Sequence, residues 1–301
     1  MTISFKDKVA VVTGAGGGLG RAYALELARR GAKVVVNDLG ASRDGTGHSD
    51  AALQVVEEIR AAGGEAMSNG GNVAEFSQMA EMVAKAKEAW GAIHILINNA
   101  GILRDKSFAK MEPSDFELVV RVHLLGTAFA TKAVWETMRE QNYGRVLMTT
   151  SSSGLGGNFG QANYAAAKLG IVGLAKTLHL EGAKFNIRVN SLAPTAGTRM
   201  TEDIFPEEAF KAFSPENVVP AALFLVSDDA PSNAIVGAGG GVCQSAWVTM
   251  NEGVLLGEAE RTVEGFAANW DKISDRSGDS VLNNGMDQSM HAMGMLAKAG
   301  Q

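Results

Sequence analysis

Apolar and polar positions repeat along this chain with two different periods. Short apolar runs near 8–13, 33–37, 65–68, 93–97, 144–150 and 186–192 have the length of strands buried on both faces, and a seventh falls near 235–243. Between them apolar residues recur at helical spacing near 18–30, 49–62, 75–90, 113–140, 161–183 and 216–227. This alternation predicts an α/β fold, a single-domain Rossmann fold over 1–250. Its core is a doubly wound parallel sheet of about seven strands with helices on both faces. Segment 194–216 breaks the rhythm and holds three of the six prolines, so it reads as a substrate-covering loop. On it, Glu202, Asp203, Glu207 and Glu208 read as a solvated face. Beyond 250 an extension over 251–301 carries a short helix near 258–273. Its end is rich in Gly, Asn and Ser and is expected to be irregular and mobile.

The first strand runs straight into glycines at 14, 16, 17, 18 and 20, followed by a helix and a second strand that ends at Asp38. Glycines there allow a tight turn and close approach to a pyrophosphate, whose charge faces the helix N-terminus. Asp38 stands where a carboxylate can accept hydrogen bonds from the adenosine ribose hydroxyls. A carboxylate also repels a 2′-phosphate, which favours NAD over NADP. Arg43, close by in sequence, keeps NADP open.

A second pattern is Tyr164-Ala-Ala-Ala-Lys168, within a stretch that reads as an amphipathic helix. Positions i and i+4 share a helix face, so the Lys168 ammonium can sit beside the Tyr164 phenol. A free phenol ionises near pH 10, and a neighbouring cation favours phenolate. Lowering that value by two or three units takes roughly 3–4 kcal/mol of differential stabilisation. One lysine plus a cationic cofactor could supply it, so Tyr164 reads as a general acid/base whose pKa is expected to fall toward neutral.

Composition narrows the field. A formal net charge of −6 with no cationic cluster argues against nucleic acid. The single cysteine, Cys243, excludes an internal disulfide and fits a reducing compartment; its apolar neighbourhood predicts a buried core thiol. The five histidines are scattered without metal-ligand spacing, so no metal is expected. No signal peptide and no run of apolar residues long enough for a membrane span is visible. The chain ends in Ala-Gly-Gln rather than a Ser-Lys-Leu-type address, so a cytoplasmic location is the default expectation.

The motifs TGAGGGLG at 13–20, NNAG at 98–101, Ser151, and Tyr164-x-x-x-Lys168 together resemble the short-chain dehydrogenase/reductase family. Within it, the segments VVVNDLG, NNAGILRDKSF, RVHLLGTAF and GNFGQANYAAAKLG, with the tail around RTVEGFAANWDKISD, are most similar to the (3R)-hydroxyacyl-CoA dehydrogenase units of type 2 multifunctional enzymes. The resemblance implies that Tyr164 exchanges the hydroxyl proton, Ser151 holds the substrate oxygen, and Lys168 binds the nicotinamide ribose. It assigns Gly14, Gly18, Leu19 and Gly20 to the pyrophosphate and Asp38 with Leu39 to the adenosine. Asn72 and Val73 are assigned to the adenine, Asn99, Ala100 and Gly101 to the cofactor wall, and Pro194, Ala196 and Thr198 to the carboxamide side. The implied cofactor is NAD.

Three positions depart from the family pattern. His123 replaces a usual Asn in the relay helix, Pro194-Thr195 replaces Pro-Gly, and Asn72 replaces an acid. The implied reaction is hydride transfer between NAD and a secondary alcohol, either a (3R)-3-hydroxyacyl-CoA, a steroid alcohol, or a 3-oxoacyl chain in the reductive direction. Arg104, Lys106 and Lys110 could meet CoA phosphates or be ordinary surface charge. A non-catalytic NAD-binding scaffold is the rival from another class. A homodimer or homotetramer joined through helices 113–140 and 161–183 is expected by resemblance.

Overall fold

The inner strands of the central sheet are apolar on both sides because they feed two cores. In β1 (Val9–Thr13), Ala10 and Val12 face one core while Val9 and Val11 face the other. The same split separates Val34 and Val36 from Val35 in β2 (Lys33–Asn37), and Ile95 and Ile97 from Leu96 in β4 (Ile95–Asn98). Period-two side-chain alternation thus converts a continuous apolar run into two buried faces. The first core is closed by α1 (Gly18–Arg29) and α2 (Ala51–Ala61), through Tyr23, Leu27, Val55 and Ile59. The second is closed by α3 (Phe76–Trp90), α4 (Pro113–Val120), α5 (Gly126–Gln141) and α7 (Ala162–Gly182). This computed structural model describes residues 3–198 and 207–299.

Three further strands complete the parallel array: β3 (Glu65–Asn69), β5 (Gly144–Thr149) and β6 (Ile187–Pro194). α6 (Ser152–Gly156) follows β5, and α8 (Glu207–Ala212) and α9 (Val219–Phe224) follow β6. With β7 (Ile235–Gly239) and β8 (Val242–Ala246), the sheet order is β3-β2-β1-β4-β5-β6-β7-β8, parallel from β3 to β7. The chain moves outward from β1 to β3, then returns to place β4 on β1's other side. Strand order reverses between β1 and β4, which is where such sheets open a ligand crevice.

The sheet has eight strands rather than the expected seven. Gly240 and Gly241, at φ 56° and 81°, fold the last apolar run back on itself, so that 235–243 becomes part of a hairpin. Cys243 therefore lies exposed on edge strand β8, not in the core as its neighbours suggested. The helical run from 113 is also interrupted: Arg121–Leu125 forms one turn of π-helix between α4 and α5. By length and composition alone Pro113–Gln141 passes the test for a membrane-crossing helix, a test that core helices also pass. Within the fold it packs on α3, α7 and the sheet.

Contacts divide the chain into a first unit through Ser245 and a second from Ala246. In the second, β9 (Thr249–Met250) pairs antiparallel with β10 (Ser280–Val281), and α10 (Val263–Ala268) leads into α11 (Trp270–Ile273). The last described segment is a further helix, α12 (Asp287–Ala299). Asp287 accepts the backbone N–H groups of Asn283 and Asn284 at 2.7 and 3.2 Å, and the Met- and Ala-rich sequence beyond it favours helix. Of the expected covering loop, Glu202 and Asp203 lie outside the described residues, and Glu207 begins α8.

Candidate active site

The candidate residues gather because each follows a strand at the same edge of the sheet. Gly14 follows β1, Asp38 follows β2, Asn72 and Val73 lie just beyond β3, Asn99 follows β4 and Ser151 lies just beyond β5. A cleft of about 420 Å³ runs along this edge. Gly14, Gly18, Leu19, Asp38, Leu39, Asn72, Val73, Asn99, Ala100, Gly101 and Thr198, all singled out from sequence, line it. Gly20, Pro194 and Ala196 do not, and neither do Ser151, Tyr164 and Lys168. Gly20 lies under the turn, where a Cβ would come within 2.2 Å of the Gly14 carbonyl oxygen, and Ala196 is buried.

The glycine turn is shaped for something bulky. Gly14 and Gly18 have φ of 63° and 52°. A Cβ on Gly14 would come within 2.7 Å of the Ala100 backbone. Asn99 Nδ2 donates to Thr13 O at 3.1 Å and Gly14 O at 3.0 Å, so this side chain staples the turn to β4 while its residue lines the cleft. Asp38 Oδ2 accepts from Gly16 N at 2.8 Å and Oδ1 from Gly40 N at 2.7 Å. Held this way, the carboxylate faces the cleft as fixed negative charge. Asn72 Oδ1 accepts from Ala74 N at 3.0 Å and shapes the turn into α3.

Sequence reasoning missed the strap after β2. Ala41, Ser42, Arg43 and Gly45 also line the cleft. The Arg43 carbonyl accepts from Leu103 N at 3.0 Å and the Asp44 carbonyl from Arg104 Nε at 2.8 Å, tying the strap to the turn after β4. The stretch between β2 and α2 is long for a connection of this kind, which was the available signal. Arg104 is also paired with Asp115 at 3.2 Å, as is Lys106 at 3.6 Å. Those two cations are therefore engaged locally, against the reading that gives them to CoA phosphates. Lys110 ends the exposed turn Phe108–Lys110.

Beside the cleft stand Ser151, Tyr164 and Lys168. Ser151 caps α6, its Oγ accepting from Ser153 N at 3.2 Å. Lys168, one turn beyond Tyr164, is buried with Nζ 5.5 Å from the Tyr164 ring centre, and Nζ donates to Thr149 O at 2.6 Å. The three sequence candidates do converge. Their electrostatics differ from expectation, however. Burial pushes the Tyr164 phenol up, the Ser151 hydrogen bond pulls it down, and the Asp105 carboxylate pushes it up again. Burial also lowers the Lys168 ammonium to about 7. A lysine with so weakened a charge cannot by itself acidify the phenol, whose pKa is raised where the lysine and a cationic cofactor together were expected to lower it.

His123 sits on the π turn and is buried. Its Nε2 lies 2.8 Å from Ile102 O and 3.1 Å from Ile102 N, and its ring meets that of Tyr164 edge-on at 5.1 Å between centroids. Burial, and then the Lys168 charge, lower its pKa to about 3, so it is a neutral imidazole in the working range. A Cβ on Gly101 would come within 2.3 Å of its Cε1, which is why a glycine precedes Ile102. This ring thus joins the cleft wall to the phenol.

Known proteins match this arrangement. The family profile described as short chain dehydrogenase matches residues 8–209. A Mycobacterium tuberculosis protein named as of short-chain dehydrogenase/reductase type is 50% identical over 278 residues, 92% of this chain and 97% of that one. The structure of full-length peroxisomal multifunctional enzyme type 2 from Drosophila melanogaster superposes with a TM-score of 0.84 at 36% identity, over 98% of this chain and 50% of its own. A 7α-hydroxysteroid dehydrogenase complexed with NADH and 7-oxo glycochenodeoxycholic acid superposes with a TM-score of 0.71 at 29% identity, over 79% of this chain and 95% of its own. The multifunctional enzymes among the curated relatives are longer, and this chain spans 31% to 61% of them.

Proposed function

This chain belongs to the short-chain dehydrogenase family, and from that footing we propose that it oxidises (3R)-3-hydroxyacyl-CoA to 3-oxoacyl-CoA with NAD. Membership makes it an oxidoreductase of CH–OH groups that uses a nicotinamide cofactor. The observation carrying the finer reading is the meeting of Ser151, Tyr164 and Lys168 beside a glycine-walled cleft faced by the Asp38 carboxylate. The cleft suits a dinucleotide: Gly14 and Gly18 line it at positive φ at the start of α1, where a pyrophosphate would meet the helix N-terminus, and Asp38 offers acceptors to ribose hydroxyls while opposing a 2′-phosphate. Bound there, the nicotinamide would supply the hydride acceptor.

The chain's own residues handle the proton. With the cationic cofactor bound, Tyr164 would act as tyrosinate, its own proton already lost: its oxygen would take the carbinol proton as hydride leaves the carbinol carbon, while the Ser151 hydroxyl holds the same substrate oxygen as it becomes a carbonyl. Lys168, its amine lowered to about 7 by burial, would meet the nicotinamide ribose, as the family resemblance implies. The CoA preference rests on the branch that the sequence resembles and on the multifunctional-enzyme relative. A steroid alcohol keeps the same chemistry and has the hydroxysteroid dehydrogenase neighbour behind it.

The test is a direct comparison of NADH formation from 3-hydroxybutyryl-CoA and from a 17β-hydroxysteroid, with NAD⁺ and NADP⁺ in turn. The expected result is a higher kcat/KM for the CoA ester with NAD⁺. No rate with any CoA ester would end the substrate assignment.

A further inference from the structure

The strap after β2 has no helix or strand over 41–49 to hold it in place, so the bonds that tie it down decide the shape of the wall it supplies. Its internal bonds are local: Ser42 N donates to Thr46 O at 2.7 Å and Gly45 N to Ser42 O at 3.0 Å. Outward, it is fastened to the turn after β4. Leu103 N donates to Arg43 O at 3.0 Å, and the Arg104 side chain donates from Nε to Asp44 O at 2.8 Å.

Arg104 serves two parts of the site with different atoms. Its backbone carbonyl accepts from Asn163 Nδ2 at 3.1 Å, and Asn163 Oδ1 accepts from Tyr164 N at 2.7 Å. Asn163 is fully buried at the start of α7, so the main chain of Arg104 supports the helix that carries Tyr164. The guanidinium faces elsewhere, with Nη1 3.2 Å from Asp115 Oδ1 and Nε on the strap. Asp115 does not depend on it for charge, because Lys106 stands 3.6 Å from the other carboxylate oxygen. Lys106 has no counterpart to the bond on the Asp44 carbonyl. A planar guanidinium presents several donors in a fixed fork, so one side chain can hold a carboxylate and a carbonyl together.

We propose that Arg104 is a positioning residue whose guanidinium holds the strap ready as a wall for the adenosine half of the dinucleotide. Asp38, at the root of the strap, faces the cleft, and Ala41, Ser42, Arg43 and Gly45 continue its lining. A strap already seated need not be ordered when the ligand binds, whereas a loose one takes that ordering out of the binding free energy. The inference rests on the dinucleotide reading and names a residue outside the cleft that sets how tightly its adenosine end is held.

The test measures binding to the cofactor-free full chain, with NADH followed by fluorescence and ADP-ribose, which lacks the nicotinamide, by calorimetry. Arg104→Met should weaken both about tenfold, which corresponds to about 1.4 kcal/mol. Amide hydrogen exchange over 41–49 should quicken in the same variant. Because the Arg104 carbonyl remains for Asn163, KM for NAD⁺ should rise while kcat changes little. Arg104→Lys keeps a cation for Asp115 without the fork, and should bind as weakly as Arg104→Met. Wild-type affinity in Arg104→Lys would mean that the arginine serves only its ion pair, and overturns the proposal. Unchanged ADP-ribose affinity or unchanged strap exchange in Arg104→Met overturns it as well. If wild type binds neither NADH nor ADP-ribose, it is the dinucleotide reading that fails, and the exchange measurement still decides whether Arg104 holds the strap.

Discussion

Lys168 shows how far a residue's environment can move its chemistry. The pairing of Tyr164 and Lys168 on one helix face was legible because i,i+4 spacing depends only on local geometry. The burial of the amine and half-burial of the phenol were not, since they depend on elements arriving from elsewhere in the chain. Burial lowers Lys168 from its ordinary 10.5 to about 7, and so sets the sign of a pH effect. Between these values the unfolded chain binds more protons than the folded one, so stability should rise with pH across that window, and below about 7 the full cost of the buried ammonium is present. Lys168→Met removes the group, and thermal melts of the variant between neutral and alkaline pH should lack the rise that wild type shows. Equal slopes for the two proteins would contradict a buried, weakened ammonium. His123 adds a second window: with its pKa lowered from 6.5 to about 3, stability should fall as pH drops from 6.5 toward 3.

Among elements, the strands and most helices were legible from period alone, and the departures have particular causes. Gly240-Gly241 turns an apolar run into a hairpin, which a window of hydrophobicity cannot see. The π turn at Arg121–Leu125 leaves the helical pattern of 113–140 intact in sequence, yet it places His123 between Tyr164 and Ile102. The strap after β2 carries polar turn residues and becomes a cleft wall only through the Leu103 and Arg104 bonds. The contact between Gly101 and His123 is a prediction at this scale. Gly101→Ala forces its methyl against the imidazole and should cost about 1–3 kcal/mol of stability, with weakened NADH binding. Replacing the imidazole as well, in Gly101→Ala/His123→Ala, should recover part of both losses, as coupled neighbours do. Additive losses in chemical denaturation would show that the two positions do not meet.

At the scale of the whole molecule, α5 and α7 leave an open groove of about 810 Å³ that Trp135, Leu174, Leu178, Leu180 and Phe185 help to line. An apolar surface of this kind, in a family that is commonly oligomeric, favours a second copy of the chain as its cover. Size-exclusion chromatography with light scattering should give a mass above one chain, and Leu180→Glu should shift it toward the monomer; a wild-type monomer at micromolar concentration would contradict this. The account as a whole turns on one oxygen, the phenol that meets the bound dinucleotide and the substrate hydroxyl together. Tyr164→Phe, assayed for NADH formation alongside NADH binding by fluorescence, tests that most directly. Turnover should fall by about 10²–10⁴-fold with affinity for NADH nearly unchanged; a variant that keeps more than about a tenth of wild-type turnover would contradict it.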